Sequence, residues 1–141
     1  RVVLLDFGAT MRFPKEFVAK YARITRAVIA GDRDAVAQGA IDIGYAAAGD
    51  SPERIDAVVD VVFLVCEPLR HRGRYDFPAS DLPARVRDLG YDLAFRRGLV
   101  RAPPPETIFL HRKLVGAFLL LARIRARVDA RGLVTEVLAG Q

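Results

Sequence analysis

The chain has 141 residues, enough for one domain, or one lobe of a larger one, with a real core. Its 52% hydrophobic content excludes a disordered chain, and its longest apolar window, residues 114–122, is about half of what spans a bilayer. The net charge of +5 is carried almost wholly by arginine, with Lys15, Lys20 and Lys113 the only lysines, and such a charge attracts anionic groups without choosing among them.

The chain opens on Arg1, and Val2-Val3-Leu4-Leu5 predicts a short buried strand covered on both faces. The run is too short for a secretory signal, and a chain that begins at the lip of a strand reads as part of a longer protein. The strand ends in Asp6-Phe7-Gly8. A strand end delivers a carboxylate to a fixed point, Phe7 can anchor the turn, and Gly8 lets the backbone bend away. A turn with a solvated Asp would read the same, so the tripeptide needs its context.

Pro14 and Glu16 then announce a helix over 16–30, with Phe17, Tyr21, Ile24 and Val28 on its buried face. Gly31 ends it, and Asp32 caps a second helix carrying Val36, Ala40 and Ile43 before Gly44. Gly39 inside that helix weakens it by about 1 kcal/mol relative to alanine. The two helices are predicted to form a hairpin. Residues 46–50 are predicted as loop, and Ser51-Pro52-Glu53 as the start of a helix over 55–69. That segment is apolar on most sides apart from Asp56 and Asp60, so it is expected at the centre of the core.

Cys66 lies in the apolar run 58–66. As the sole cysteine it cannot form an internal disulfide, which fits a reducing compartment, and a buried, inert thiol is expected. Residues 70–78 form a basic, turn-rich stretch predicted as a solvated loop, with His71 exposed and neutral and not a metal ligand. Asp81 is expected to cap a helix running to about Arg97, with Leu82, Val86, Leu89, Leu93 and Phe95 on its buried side and Gly90 interrupting it.

Pro103-Pro104-Pro105 make a stiff lead-in, and a helix begins as they end. It is predicted to reach Val128. Leu110, Leu114, Phe118, Leu121 and Val128 form its stripe, and Gly116 and Ala117 permit a close helix crossing. Arg123, Arg125 and Arg127 suit the negative end of the helix dipole. His111 has no acid four residues away to orient its ring, so a structural role against an upstream segment is expected, with Arg112 and Lys113 pairing acids of that segment. A last short helix covers 133–138. Apart from the first strand the chain reads as helical, so the expected class is mainly α.

A strand ending in Asp-Phe-Gly, followed only by helices, resembles the C-terminal part of a protein-kinase-like C-lobe. The details resemble one branch, the UbiB/AarF/ADCK atypical kinase-like ATPases. The residues that carry this are Leu4-Leu5-Asp6-Phe7-Gly8-Ala9-Thr10, then Pro103-Pro104-Pro105-Glu106-Thr107 with Leu110-His111-Arg112-Lys113-Leu114. Between them, Arg26-Ala27 and Gly31-Asp32-Arg33 match the helix hairpin of that family. Met11 stands where family members often carry Arg after the Ala-Thr pair, and Arg12 follows it.

The resemblance implies that residues 1–141 are one unit, the C-terminal piece of a kinase-like domain whose N-lobe and catalytic loop precede Arg1. It implies ATP and Mg2+ as cofactors, Asp6 as the catalytic, metal-binding acid, and Phe7 and Gly8 beside it in the cofactor site. Family members are linked to ubiquinone or isoprenoid-lipid biosynthesis. The implied partners are the preceding part of the same protein, anionic membrane lipid and quinone-biosynthesis proteins. A phosphoryl-transfer site needs the upstream groups too, so this piece alone is expected to be inactive. The alternative is a catalytically incompetent helical module that binds anionic lipid or a protein partner through the basic loop 70–74 and the basic end of the long helix. Nucleic acid rests on net charge alone and is set aside. The lone cysteine, which fits a reducing compartment, leads to an expected cytoplasmic location, at most peripheral at the inner face of a bacterial membrane.

Overall fold

Proline at the entry and glycine at the exit bound the first helix. The computed structural model describes residues 10–96, 99 and 102–140; the predicted strand and Asp6-Phe7-Gly8 lie outside the described residues. Helix α1 spans Lys15–Ala30 after Pro14, and Gly31 closes it in the left-handed conformation at φ 78°. There the Gly31 and Asp32 amides donate to Val28 and Ala27 carbonyls, at 3.1 and 3.0 Å. Asp32 then accepts a hydrogen bond from the Ala35 amide and starts α2, Arg33–Ile43. The predicted hairpin is present. Its two helices lie close because Gly39 has no side chain: a Cβ there would sit 3.0 Å from both Cβ and Cγ1 of Ile24. The residue that weakens α2 as a helix is the one that lets α1 pack on it.

Ser51 accepts from the Arg54 amide and starts α3, Pro52–Val65. The predicted helix over 55–69 is not continuous. It breaks at Cys66 and resumes as the short α4, Glu67–Arg70. Pro68 explains the break, since it has no amide to donate and its ring crowds the carbonyl four residues back. The core unites Ile24, Ala27 and Val28 of α1, Val36 and Ala40 of α2, and Val59 and Phe63 of α3. Asp56 and Asp60 face outward, where Arg33 Nη2 meets Asp60 at 2.8 Å.

The basic stretch after α4 is more than loop. Tyr75–Asp76 form β1, which pairs antiparallel with β2, Arg127–Val128, in the register Tyr75 to Val128 and Asp76 to Arg127. The long helix therefore stops before Val128. It is α6, Pro105–Arg123, and a turn with Arg125 at φ 56° leads into β2. The Arg127 guanidinium meets Asp76 at 2.8 Å across the pair. Tyr75 and Phe77 are buried beneath this ladder, and Phe77 packs edge-on against Phe118 of α6.

Helix α5 spans Leu82–Tyr91. Its start is capped by Ser80, whose hydroxyl accepts from the Leu82 amide, and not by Asp81, which pairs with Arg85 at 2.7 Å instead. After Gly90 comes a π-helical turn, Asp92–Arg96. Its wider winding rotates the apolar stripe, so Leu93 is buried while Phe95, predicted on the buried side, is 75% exposed. Among the described residues nothing lies within 4 Å of a Cβ built at Gly116, where a close crossing is expected. Leu114 of the predicted α6 stripe is exposed, while Leu110, Phe118 and Leu121 are half-buried. Helix α7, Ala130–Ala139, is capped by Asp129 and extends the predicted 133–138 at both ends. Among the described residues no helix is long and apolar enough to cross a membrane. The mainly α class holds, with a two-strand clasp that the periodicity did not show.

Candidate functional site

The first sequence motif, Asp6-Phe7-Gly8, lies outside the described residues, but the chain that leaves it is in view from Thr10. Thr10, Met11 and Arg12 are exposed. Among the described residues packing begins at Phe13. Its ring stacks on Phe17 at 4.8 Å and 8° between planes, and leans on Phe109 of α6 at 6.4 Å. Phe17 in turn lies 4.7 Å from Tyr21. Residues 13, 17 and 21 are four apart, so the entry segment and helix present them on one face.

From Tyr21 the path is polar. Its hydroxyl hydrogen-bonds the Tyr45 hydroxyl, and the Tyr45 hydroxyl lies 2.7 Å from Nε2 of His111. The Tyr45 and His111 rings also stack, 5.7 Å apart. Tyr45 is delivered here by Gly44, which closes α2 in the left-handed conformation at φ 97°. A Cβ on Gly44 would lie 3.0 Å from Cγ of Pro104, so the proline stretch rests directly on the end of the hairpin. Thr107 is completely buried, and its hydroxyl donates to the Pro104 carbonyl at 2.7 Å, fixing the start of α6.

Burial sets the protonation of this group. It pushes the Tyr45 hydroxyl far above the ordinary tyrosine range, with Tyr21 as a hydrogen-bonded neighbour adding to the effect. Burial also raises Tyr21 and lowers His111. All three are neutral at pH 7. Nε2 is the His111 ring nitrogen that hydrogen-bonds the Tyr45 hydroxyl. The group is therefore a connector, with the nitrogen a general base would use already occupied. His111 was expected to pack against an upstream segment; its partner is Tyr45, within the chain. Arg112 and Lys113 are exposed, and the Lys113 ammonium sits 5.4 Å over the Phe109 ring.

Other candidates carry less. His71 is exposed and turns its ring edge-on to Tyr75 at 5.5 Å, and among the described residues no group of three His, Cys, Asp or Glu could hold a metal. Burial pushes the Cys66 thiol up to about 11 against the pull of Arg70, so it is a protonated, unreactive thiol. The basic loop is tied down: Arg70 lies 4.7 Å over the Phe63 ring, and Arg74 donates to the Arg127 carbonyl at 3.3 Å. The depression beside Arg72 and Arg131 is also lined by Asp129 and Glu136, so its charges offset one another.

The structure thus joins the hairpin and the second motif, and brings the root of the first motif onto both. Tyr45 and Phe13 were missed by sequence reasoning. The four-residue spacing of Phe13, Phe17 and Tyr21 was a usable signal for Phe13, whereas Tyr45 follows a glycine in a loop and gave none.

No protein-family model matches the chain. Similarity to curated atypical kinases nevertheless runs through almost its whole length, and the chain belongs to the UbiB/AarF/ADCK family of atypical kinase-like proteins. It is 40% identical over 136 residues to the rat atypical kinase COQ8B, mitochondrial, a match covering 96% of this chain and 25% of the relative. It is 34% identical over 142 residues to the atypical kinase COQ8, mitochondrial, of Saccharomyces cerevisiae, covering 99% and 28%. The match to the atypical kinase coq-8, mitochondrial, of Caenorhabditis elegans is 34% over 137 residues, covering 97% and 18%. The chain spans roughly a quarter of the length of such relatives. Their names also overturn the expected bacterial cytoplasmic or inner-face location, because each is a mitochondrial protein of a eukaryote.

Proposed function

We propose that the chain is the metal-binding part of an atypical kinase-like ATPase, an ATP-dependent phosphotransferase of ubiquinone or isoprenoid-lipid biosynthesis. The observation that carries this is the similarity to atypical kinases over nearly all of its length. Asp6 is the ligand of the Mg2+ that bridges the nucleotide phosphates, and Phe7 and Gly8 shape the turn that presents it. The packing of Phe13 against Phe109 supports the reading, since it ties the root of the Asp-Phe-Gly arm to the helix of the second family motif. The test is Asp6→Asn in the full-length protein. Magnesium-dependent ATPase activity is expected to fall on the order of 100-fold or more, as when a transition-state electrostatic contact is removed. Undiminished activity and magnesium-dependent nucleotide binding would refute the proposal.

One observation favours the second reading, a catalytically incompetent module docking on anionic lipid or a protein partner. Helix α6 leaves Leu114, Val115, Leu119 and Leu120 exposed near the cations of Arg112 and Arg123. Under that reading Asp6→Asn is silent, so one variant separates the two.

A further inference from the structure

We infer that α6 is an interior helix of the whole protein, its exposed apolar band seated against the part of the same polypeptide that lies outside these 141 residues. The inference rests on the family's greater length, of which this chain spans 25% in one relative and 28% in another, and it does not need the role given to Asp6. Residues 114–122 include no charged or polar side chain. The described residues cover one side of the helix: Thr107 is buried, His111 meets Tyr45, and Phe118 packs on Phe77. Those positions are four and seven apart and share a face. Near the start, Phe109 also touches Phe13. Elsewhere the band is open. Leu114, Val115, Leu119 and Leu120, with Ile124 just beyond, are each 55–62% exposed.

Three occupants compete for this band, and its pattern selects one. Consecutive helix positions point about 100° apart, so Val115 and Leu119 lie on one side while Leu120 and Ile124 lie on another. A helix that is apolar all round belongs in a core. A helix lying in a membrane surface needs a polar face, which residues 114–122 lack. A band of that length rises about 13 Å, against a hydrocarbon core of about 30 Å, so it does not span one either. A second copy related by a twofold axis would cover one side and leave the other wet. A surrounding domain covers both, and the additional length of the relatives supplies one. Charge adds a detail on one side. Arg112, Val115, Leu119 and Arg123 follow one another at three, four and four residues, so a cation stands at each end of an apolar pair. Gly116 beside them has nothing described within 4 Å of a built Cβ, which leaves room for a backbone to come close. That side fits a helix with an apolar middle and an acidic residue toward each end.

The test uses the full-length protein with no substitution in α6, so misfolding of a variant cannot obscure it. Hydroxyl-radical footprinting without lipid reads the side chains directly. Val115, Leu119 and Leu120 are expected to oxidise about tenfold or more slowly relative to the same residues in the urea-unfolded protein, as close-packed groups do. Dilution of the protein is expected to leave that protection unchanged, whereas a second copy would release the band as it dissociates. Photo-leucine, which keeps the shape of leucine, then identifies the cover. Adducts from Leu119 and Leu120 are expected to join peptides of the same polypeptide from outside residues 1–141, in a product of monomer size. The same labelling is repeated with vesicles of phosphatidylcholine and cardiolipin, and the adducts are expected not to change. Adducts to lipid, to a second copy or within the 141 residues overturn the inference. So do oxidation at the unfolded rate and an absence of adducts. Asp6→Asn, which tests the metal role, is expected to leave both readouts as they are in the parent, so either claim can fail while the other stands.

Discussion

Gly39→Ala sets two physical effects against each other. Helix propensity favours alanine by about 1 kcal/mol in the interior of α2. Packing opposes it, because the new methyl would lie 3.0 Å from Cβ and Cγ1 of Ile24 and 3.4 Å from Cδ1. Ile24 is 5% exposed and cannot turn away: its Cβ is fixed to the backbone, and a β-branched side chain on a helix has essentially one χ1 well. The helices must move apart by several tenths of an ångström, at the edge of the cluster that Val28, Val36 and Phe63 complete. Overpacking of this kind costs about 1–3 kcal/mol, so the net expectation is a loss of about 1 kcal/mol. Native-state hydrogen exchange of the α1 and α2 amides reads that loss locally, whatever the stability of the rest of the protein. Ile24→Ala alone is expected to cost about 2–5 kcal/mol, and the double variant less than the sum by about 1 kcal/mol, because the methyl enters the vacated space. Slower exchange in Gly39→Ala, as propensity alone would give, or strict additivity, would refute the reasoning.

Tyr75→Phe removes hydrogen bonds of 2.6 Å to Glu67 and 2.5 Å to Ser80 from a buried ring, and is expected to cost about 1–2 kcal/mol, read as faster exchange at the β1 amides. Histidine 111 should make stability depend on pH in one direction. Its folded pKa is lowered by burial, so its contribution is fully present above about 6.5, the unfolded value, and is lost as pH falls from there through the window to the depressed value. Comparing unfolding midpoints of the parent and His111→Gln across pH 7 to pH 5 checks this, and parallel curves would refute it.

The hairpin and its caps were legible because they are local. Gly31, Asp32 and Gly44 each act within a few residues, and the chemistry of a cap is written in the residue that makes it. What was not legible depends on residues far apart in sequence. Nothing around Tyr75 announces a strand until Arg127 is known to lie beside it, and the basic run from residue 70 reads as solvated in isolation. The exposure of Phe95 follows from a π-turn, which shifts phase without a residue to mark it. In the candidate site, the proline stretch and Thr107 were recognisable as a unit, but what they rest on was not. Gly44 and Tyr45 become part of the site through the close approach of Pro104, a contact with no counterpart in either local pattern. Asp6 was legible only as a letter in a motif, and it lies outside the described residues.

The clasp between β1 and β2 also bears on how the molecule comes apart. Arg74 and Arg127, bonded at its margin, are 53 positions apart, and the whole of α5 and α6 hangs between the two ends as a closed loop. Closing a loop of that length takes about 3–4 kcal/mol of chain entropy, which the paired residues, their ion pair and the buried Tyr75 and Phe77 rings must offset together. The three-helix cluster near the start needs no such closure, because its partners are neighbours along the chain. The buckle should therefore fasten after the hairpin, and its opening frees the far end of α6 while the near end stays seated on the hairpin through Phe109 and His111.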